Sequence, residues 1–511
     1  MTALFLTPDE EAEEQHSIVV MMQPSAKLEP PATDTTAHPQ PKRALGLRDL
    51  VLFYVVTTLS LRWIAVAAAA GPSSLVIWMV GLATIFLPVA MSVMELSSRY
   101  PDEGGMYLWS KQAFGNFSGF LTGWVYWTSN LAYFPSLLYF AASNALYVGG
   151  DKWEALQRSP AFFIVFSMCG VALVLVLNVI GLDIGKWLNN LGAIGAWLPA
   201  GLLCVVGAIA WRRFGSATSF AVSTMKPSLN VGNVGVWATL LLAFVGAESA
   251  SCLGGEIKAA RRTIPRALVI AGVLVTTGYM LGTIAMLIVL PHEQFNNLQG
   301  IMQAISTSAA RIGWRGMGPA VALLICIANL GCCSAYLAAM SRLPFVAGID
   351  RFLPRAFGRL HPRWGTPHVA LMVQALFCVV FVLLGQMGST VRAAYQVLVS
   401  MTIITSFIPY LFMFASLIRL QREPAGPEIV RVPGGKPAAI AVAVVGLIGT
   451  CVALVGSVIP DPSEPNKVLV VVKIVLLSVA LIGGGAGLYA LSSWRGSRAA
   501  QEQGRGKIGL G

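Results

Sequence analysis

The sequence predicts an all-α membrane protein of twelve transmembrane helices, and three observations carry that prediction. Hydrophobic residues make up 56% of the 511-residue chain and charged residues 11%; a soluble domain is about a quarter charged, so this chain cannot cover a water-facing surface of its length. Apolar runs of roughly twenty residues, the length that crosses a bilayer core as a helix, recur along it. Lys and Arg gather in the loops between those runs, as the positive-inside bias requires.

Reading the apolar runs against their charged, Pro and Gly breaks places the spans near 48–70, 75–98, 114–148, 161–180, 186–211, 233–254, 266–290, 318–341, 367–386, 393–419, 438–459 and 468–492. The third is long for one crossing, and Pro135 predicts a kink or a short external helix within it. Residues 1–45 are polar, Pro-rich and acidic at Asp9-Glu10-Glu11 and Glu13-Glu14, with no apolar core of signal type; they read as a disordered cytoplasmic arm. Residues 46–492 form the transmembrane domain and 493–511 a cytoplasmic tail. With both termini in the cytoplasm, about 24 basic residues fall inside and about 10 outside, with Arg62 inside a span. The net charge of +12 is then mostly cytoplasmic anchoring. Nucleic acid would need one basic face outside the membrane, so it is not an expected partner. All eight cysteines lie in or beside apolar runs, which argues against a disulfide framework or a metal site.

Two spans depart from a plain apolar helix. The first reads Val55-Val56-Thr57-Thr58-Leu59-Ser60-Leu61-Arg62-Trp63: its hydroxyls can bond freed carbonyls, and Arg62 puts a charge near mid-depth. The sixth reads Leu242-Ala243-Phe244-Val245-Gly246-Ala247-Glu248-Ser249-Ala250-Ser251, where Gly246 weakens the helix and Glu248 puts a carboxylate near mid-depth. A charge at the centre of a helix costs about 3 kcal/mol to insert, so Arg62 and Glu248 call for an aqueous cavity or for one another. Both readings stay open.

The spacing between these spans carries an architecture. Spans one to five (about 48–211) and six to ten (about 233–419) are two sets of opposite orientation, since five is odd; helices eleven and twelve (about 438–492) are an appendage. A broken helix opening each set is the sequence pointer to an inverted-repeat carrier, in which half-helix amides face an anionic group and freed carbonyls receive a cation or ammonium. An α-amino acid carries both groups.

The same residues resemble a known family. Phe244-Val245-Gly246-Ala247-Glu248-Ser249-Ala250, followed by Gly255-Glu256-Ile257-Lys258, Arg261-Arg262 and Ile264-Pro265, is similar to the sixth-helix signature of the amino acid–polyamine–organocation (APC) permeases. Two further segments agree in order: Glu95-Leu96-Ser97-Ser98-Arg99-Tyr100-Pro101-Asp102-Glu103-Gly104-Gly105 with Trp109 and Phe114-Gly115, and Ser341-Arg342-Leu343-Pro344 through Leu353-Pro354 to His361-Pro362-Arg363-Trp364-Gly365-Thr366-Pro367-His368. Ser60-Leu61-Arg62, Phe134-Pro135-Ser136-Leu137-Leu138-Tyr139-Phe140 and Val432-Pro433-Gly434-Gly435-Lys436 resemble most the glutamate/γ-aminobutyrate antiporter group. The resemblance covers roughly residues 45–490.

It implies a LeuT-like fold of five-plus-five inverted repeats with helices 1 and 6 broken, and secondary transport of amino acids by alternating access, as exchange. The alternatives are a proton-coupled amino acid or polyamine symporter and a transport-inactive amino acid sensor on the same fold. The implied substrate site is Thr57, Thr58, Leu59, Ser60 and Leu61 with Phe244, Val245, Gly246, Ala247 and Glu248; Arg62, Leu242, Phe244 and Glu248 are the gating or coupling candidates. Ser60 is a candidate hydroxyl ligand, its alternative being a bond back to its own helix, and Phe244 is either a gate or simple packing. Glu248 can accept a substrate ammonium or act as a pH-sensitive latch, and Arg62 can bind a substrate carboxylate.

The chain departs from the family pattern in places. Thr57-Thr58-Leu59-Ser60 stands where many members have a Gly-Ser-Gly turn, and Leu242 where some exchangers have an aromatic gate. Trp197-Leu198-Pro199 stands where some proton-coupled members have a lysine, with Lys186 at the helix entrance, so lysine-based coupling is not implied. Trp124, Tyr126 and Trp127 read as packing or interface aromatics. Arg261, Arg262, Arg351, Arg355 and Arg359 read as topology anchors or as partners of Asp102, Glu103, Glu256 and Asp350 in an inward gate. No enzyme motif is present: there is no P-loop, nucleophile elbow or metal-spaced His/Asp set, and His361 and His368 lack metal-type companions. The expected partners are an amino acid or related amine, the lipid bilayer and, as open options, protons and a second copy of the chain. No cofactor is expected, and the expected location is a bacterial inner membrane.

Overall fold

The computed structural model describes residues 43–508 apart from 229–230, 296–298, 312–315, 351, 387–390, 425 and 460–466. The amino-terminal arm expected over 1–45 therefore lies almost wholly outside the described residues. Among these residues the secondary structure is helical, with one isolated parallel bridge between Leu45 and Ile257. An apolar environment offers the backbone no water, so each segment satisfies its own amides and carbonyls.

The helices run in order α1 (Leu47–Thr58), α2 (Leu61–Ala69), α3 (Ser74–Gly81), α4 (Leu87–Arg99), α5 (Met106–Phe114), α6 (Asn116–Gly149), α7 (Pro160–Ile180), α8 (Leu182–Phe214), α9 (Val222–Met225) and α10 (Val231–Leu242). They continue as α11 (Ala260–Val289), α12 (Gly300–Arg311), α13 (Met317–Met340), α14 (Arg342–Ile349), α15 (His368–Gln386), α16 (Val391–Leu420), α17 (Gly435–Ser457) and α18 (Lys467–Ile508). A π-helical turn, Leu82–Phe86, joins α3 to α4, and Ser249–Glu256 is a 3₁₀-helix.

Among the described residues, ten segments are long and apolar enough to cross a membrane, and His368–Leu384 is a shorter apolar helix. The sixth expected span is outside that set because its α-helix stops at Leu242. Burial orders the spans: the most apolar window of Leu47–Ala69 is 89% buried and that of Ile474–Trp494 is 17% buried. The first span is central, and the last presents most of its surface outward.

The third span runs as one helix, α6, through Pro135, with no separate external helix at that position; a proline withdraws only one amide, which a well-packed membrane helix tolerates. Beyond 493 the chain continues as α18 to Ile508.

Close backbone contact sets the middle of the molecule. Helices α8 and α13 cross at Gly192 and Gly331, where a Cβ on either would fall 2.6–2.7 Å from the other's Cα. Small residues at such a crossing let two membrane helices approach to backbone distance.

Candidate substrate site between two helix breaks

The first span is interrupted at Leu59 and Ser60, both in extended conformation, between α1 and α2. Thr57 cannot extend the break, because its hydroxyl bonds back to the Phe53 carbonyl at 2.9 Å. Ser60 makes no such bond among the described residues; its N–H instead donates to the Tyr279 hydroxyl at 3.1 Å. That hydroxyl donates to the freed Thr58 carbonyl and lies 3.1 Å from the Ala243 carbonyl. One tyrosine of α11 thus satisfies groups released by both breaks.

The sixth span breaks over 243–248. Ala243, Phe244 and Val245 close tight turns onto Leu240, Leu241 and Leu242, and Gly246 then takes φ +123°. Only glycine adopts that conformation freely, and a Cβ there would sit 2.6 Å from the Tyr336 hydroxyl and 3.0 Å from the Thr57 carbonyl. The two breaks therefore face one another directly, with Tyr336 also donating to the Thr57 carbonyl at 3.3 Å.

Glu248 is fully buried and its carboxylate is surrounded by donors. Tyr126 of α6 donates to Oε1, Tyr410 of α16 to Oε2 at 2.5 Å, and the Gly246 N–H to Oε2 at 3.0 Å. Three elements thereby converge on one side chain. Arg62, in the first turn of α2, is also fully buried, but it meets no carboxylate. Its Nη1 donates to Ser136 at 2.9 Å, and its guanidinium lies 4.1 Å from the Trp63 ring and 4.8 Å from that of Tyr133. Nε and Nη2 have no hydrogen bond among the described residues, although the Tyr395 hydroxyl of α16 also faces the guanidinium. Arg62 and Glu248 form no ion pair with each other, which closes the alternative left open by sequence.

A narrow cavity lies beside the sixth-span break, lined by Tyr126, Ser129, Asn130 and Tyr133 of α6, Leu242 and Val245 of the sixth span, Tyr336 of α13, and Thr402 and Ser406 of α16. It measures about 10 Å³, the room one water needs, so an amino acid enters only after these elements move. Tyr133 lines the cavity and also lies 4.8 Å from the Arg62 guanidinium. Of the expected residues, Leu242 and Val245 line the cavity and Gly246 and Thr57 meet beside it. Phe244 points elsewhere, against Trp78, Phe86 and Tyr279 at centroid distances of 5.6–5.8 Å.

Sequence reasoning passed over Tyr279, Tyr336, Tyr410 and Ser136, and read Tyr126 as packing. The signal available was a hydroxyl near the middle of an apolar span, since buried tyrosines seek a partner. The ionic partners also differ from those expected: Glu256 pairs with Arg342 at 2.6 Å, Asp350 with Lys111 at 2.6 Å, and Arg261 with the exposed Glu428. Arg351 lies outside the described residues.

Two interrupted helices that meet within a multi-pass membrane body are the arrangement found at the substrate sites of membrane carriers. The chain belongs to the Amino acid permease family, whose model matches residues 45–481, in keeping with its resemblance to APC permeases. It is 27% identical over 470 residues to an uncharacterized transporter of Legionella pneumophila, covering 90% of this chain and 98% of that one. It is 25% identical to the serine/threonine exchanger SteT of Bacillus subtilis over 71% of this chain and 79% of SteT. The fold matches that of MhsT, solved in complex with L-phenylalanine, with a TM-score of 0.60 and 13% identity over 82% of this chain and 100% of MhsT. The chain is thus an integral, multi-pass membrane transporter of LeuT-like fold.

Proposed function

We propose that the protein exchanges amino acids across the membrane by alternating access, with the substrate held between the two helix breaks. The observation that carries this reading is the direct opposition of the two breaks at Thr57 and Gly246, beside a narrow cavity. The α2 amino-terminal turn offers amides to a carboxylate, and carbonyls freed around the breaks offer acceptors to an ammonium. Glu248, with Tyr126 and Tyr410, forms a barrier between the cavity and the end where the sixth span leaves the membrane. Arg62 supplies a desolvated guanidinium for an acidic group of the substrate, because a buried cation without a counter-ion is costly.

The architecture in this reading is twelve spans, with inverted repeats over about 48–211 and 233–419 and two added helices over about 438–492, in a bacterial inner membrane with both termini inside. The relation to SteT, an exchanger by name, supports exchange over symport. Counterflow in proteoliposomes against the standard amino acids, γ-aminobutyrate and polyamines tests it. Saturable exchange of amino acids is the expected result. Binding without exchange would point to a sensor, and uptake driven by an imposed proton gradient, without internal substrate, to a symporter.

A further inference from the structure

Where the chain enters its first span, the two interrupted helices are joined by main chain. The Ala44 and Leu45 N–H groups both donate to the Glu256 carbonyl, at 3.0 and 3.1 Å, and Lys258 N–H donates to the Leu45 carbonyl at 2.9 Å. The start of the first span and the end of the sixth therefore move together unless these bonds break. An ion pair links this joint to the element after the eighth span. Arg342 bonds Glu256 Oε1 through Nε and Nη2, both at 2.6 Å, while its Nη1 donates to the Ala338 carbonyl at 2.7 Å and to Ser341 at 2.8 Å.

The 101–105 loop lies over the joint, with the Glu103 carboxyl against Gly255. Glu103 Oε1 is buried and has no hydrogen-bond partner among the described residues. The charged and titratable groups around Glu103 are Asp102 from its own loop, Cys252 and Glu256 from the end of the sixth span, and Arg342 from α14. The Glu103 carboxyl thus sits beside the Glu256–Arg342 pair without a hydrogen bond to Arg342 of its own among the described residues. Burial, with the like charge of Glu256 beside it, pushes the Glu103 carboxyl up to about 7.

We propose that Glu103 is a proton-operated catch on this joint. Protonated, it is neutral beside the Glu256–Arg342 pair and the joint stays closed; ionised, it adds an uncompensated negative charge and the joint opens. The sign follows from linkage. The closed joint keeps the proton on Glu103, whereas an open joint lets water reach the carboxyl and restores its ordinary acidic range near 4.5. Closure is therefore strongest at low pH, weakens as pH rises from about 5 to 7, and changes no further above that. The proposal rests on the alternating-access reading only in taking this joint as a part that opens.

Hydrogen–deuterium exchange of the full-length protein in proteoliposomes tests it, comparing wild type with Glu103→Gln at matched pH so that the intrinsic pH dependence of exchange cancels. Peptides covering 44–46 and 252–258 should exchange equally in the two proteins at about pH 4.5. By about pH 8 they should exchange on the order of 100-fold faster in wild type, with most of the rise between about pH 5 and 7. A ratio that stays within about twofold throughout overturns the catch. Arg342→Gln should speed exchange of the same peptides at every pH, and unchanged exchange would remove the ion pair as the link. If Glu103→Gln does not insert, Glu103→Ala removes the same charge and is read in the same way. Transport plays no part in this readout, so loss of the exchanger reading and loss of the catch are distinguishable.

Discussion

Arg62 and Glu248 lie on the two interrupted spans, equally buried, and their surroundings differ in kind. Glu248 sits among three donors from three elements, Tyr126, Tyr410 and the Gly246 amide. Arg62 has neutral neighbours only, Ser136 and the Tyr395 hydroxyl, with two aromatic faces and two N–H groups without a hydrogen bond among the described residues. A buried charge that is fully hydrogen-bonded holds structure together; one that is not is poised to take a partner. On the proposed function, this difference makes Glu248 the candidate for positioning and Arg62 the candidate for recognition.

The largest expected effect is that of Glu248→Ala, which strands two tyrosine hydroxyls and an amide. It should cost about 3–5 kcal/mol of stability, seen as a lowered thermal midpoint in detergent. An unchanged midpoint would contradict the positioning role. Glu248→Gln keeps an acceptor and should be milder, and its transport across about pH 5–8 separates positioning from a latch: a profile parallel to wild type excludes titration of Glu248 as the control.

Arg62→Ala comes next. It should lower counterflow of dicarboxylic amino acids about 10- to 100-fold, the value of about 1.5–3 kcal/mol for a hydrogen bond to a charged group, and leave neutral amino acids nearly unaffected. Equal loss for all substrates would return Arg62 to a structural role and collapse the distinction between the two charges.

Tyr126→Phe and Tyr410→Phe each remove one donor from Glu248 and should cost about 1.5–2 kcal/mol apiece. A double mutant whose loss differs from the sum by more than about 0.5 kcal/mol would show that the two hydroxyls act as one unit. Ser136→Ala should have the smallest effect, about 1 kcal/mol or less, because it takes a single neutral acceptor from a guanidinium already short of partners. A larger loss, confined to dicarboxylic substrates, would extend the recognition site to α6.

Much of this was legible in the residues. The Thr57–Leu61 window contains the observed break, and Gly246 lies within the sixth-span interruption because its φ of +123° excludes other side chains. Both mid-span charges stood out against apolar surroundings. The partners were not legible. Tyr126 is 122 residues from Glu248 and Tyr410 is 162, and no local pattern marks a tyrosine that will face a carboxylate rather than lipid. Nor could charge counting choose Arg342 for Glu256 over the five arginines considered, since the choice depends on how α14 packs against the end of the sixth span.

By itself the sequence determined the environment, the approximate position of the spans and the places where helices must break, because apolar length, glycine conformation and the cost of a mid-span charge are local properties. Only the tertiary structure decided that Arg62 and Glu248 do not pair, that Tyr279 bonds groups freed by both breaks, and that the Glu103 carboxyl packs against Gly255 beside the Glu256–Arg342 pair. Those outcomes depend on which side chains arrive within hydrogen-bonding distance when helices far apart in sequence pack together. That is a property of the packed bundle as a whole, and no single segment encodes it.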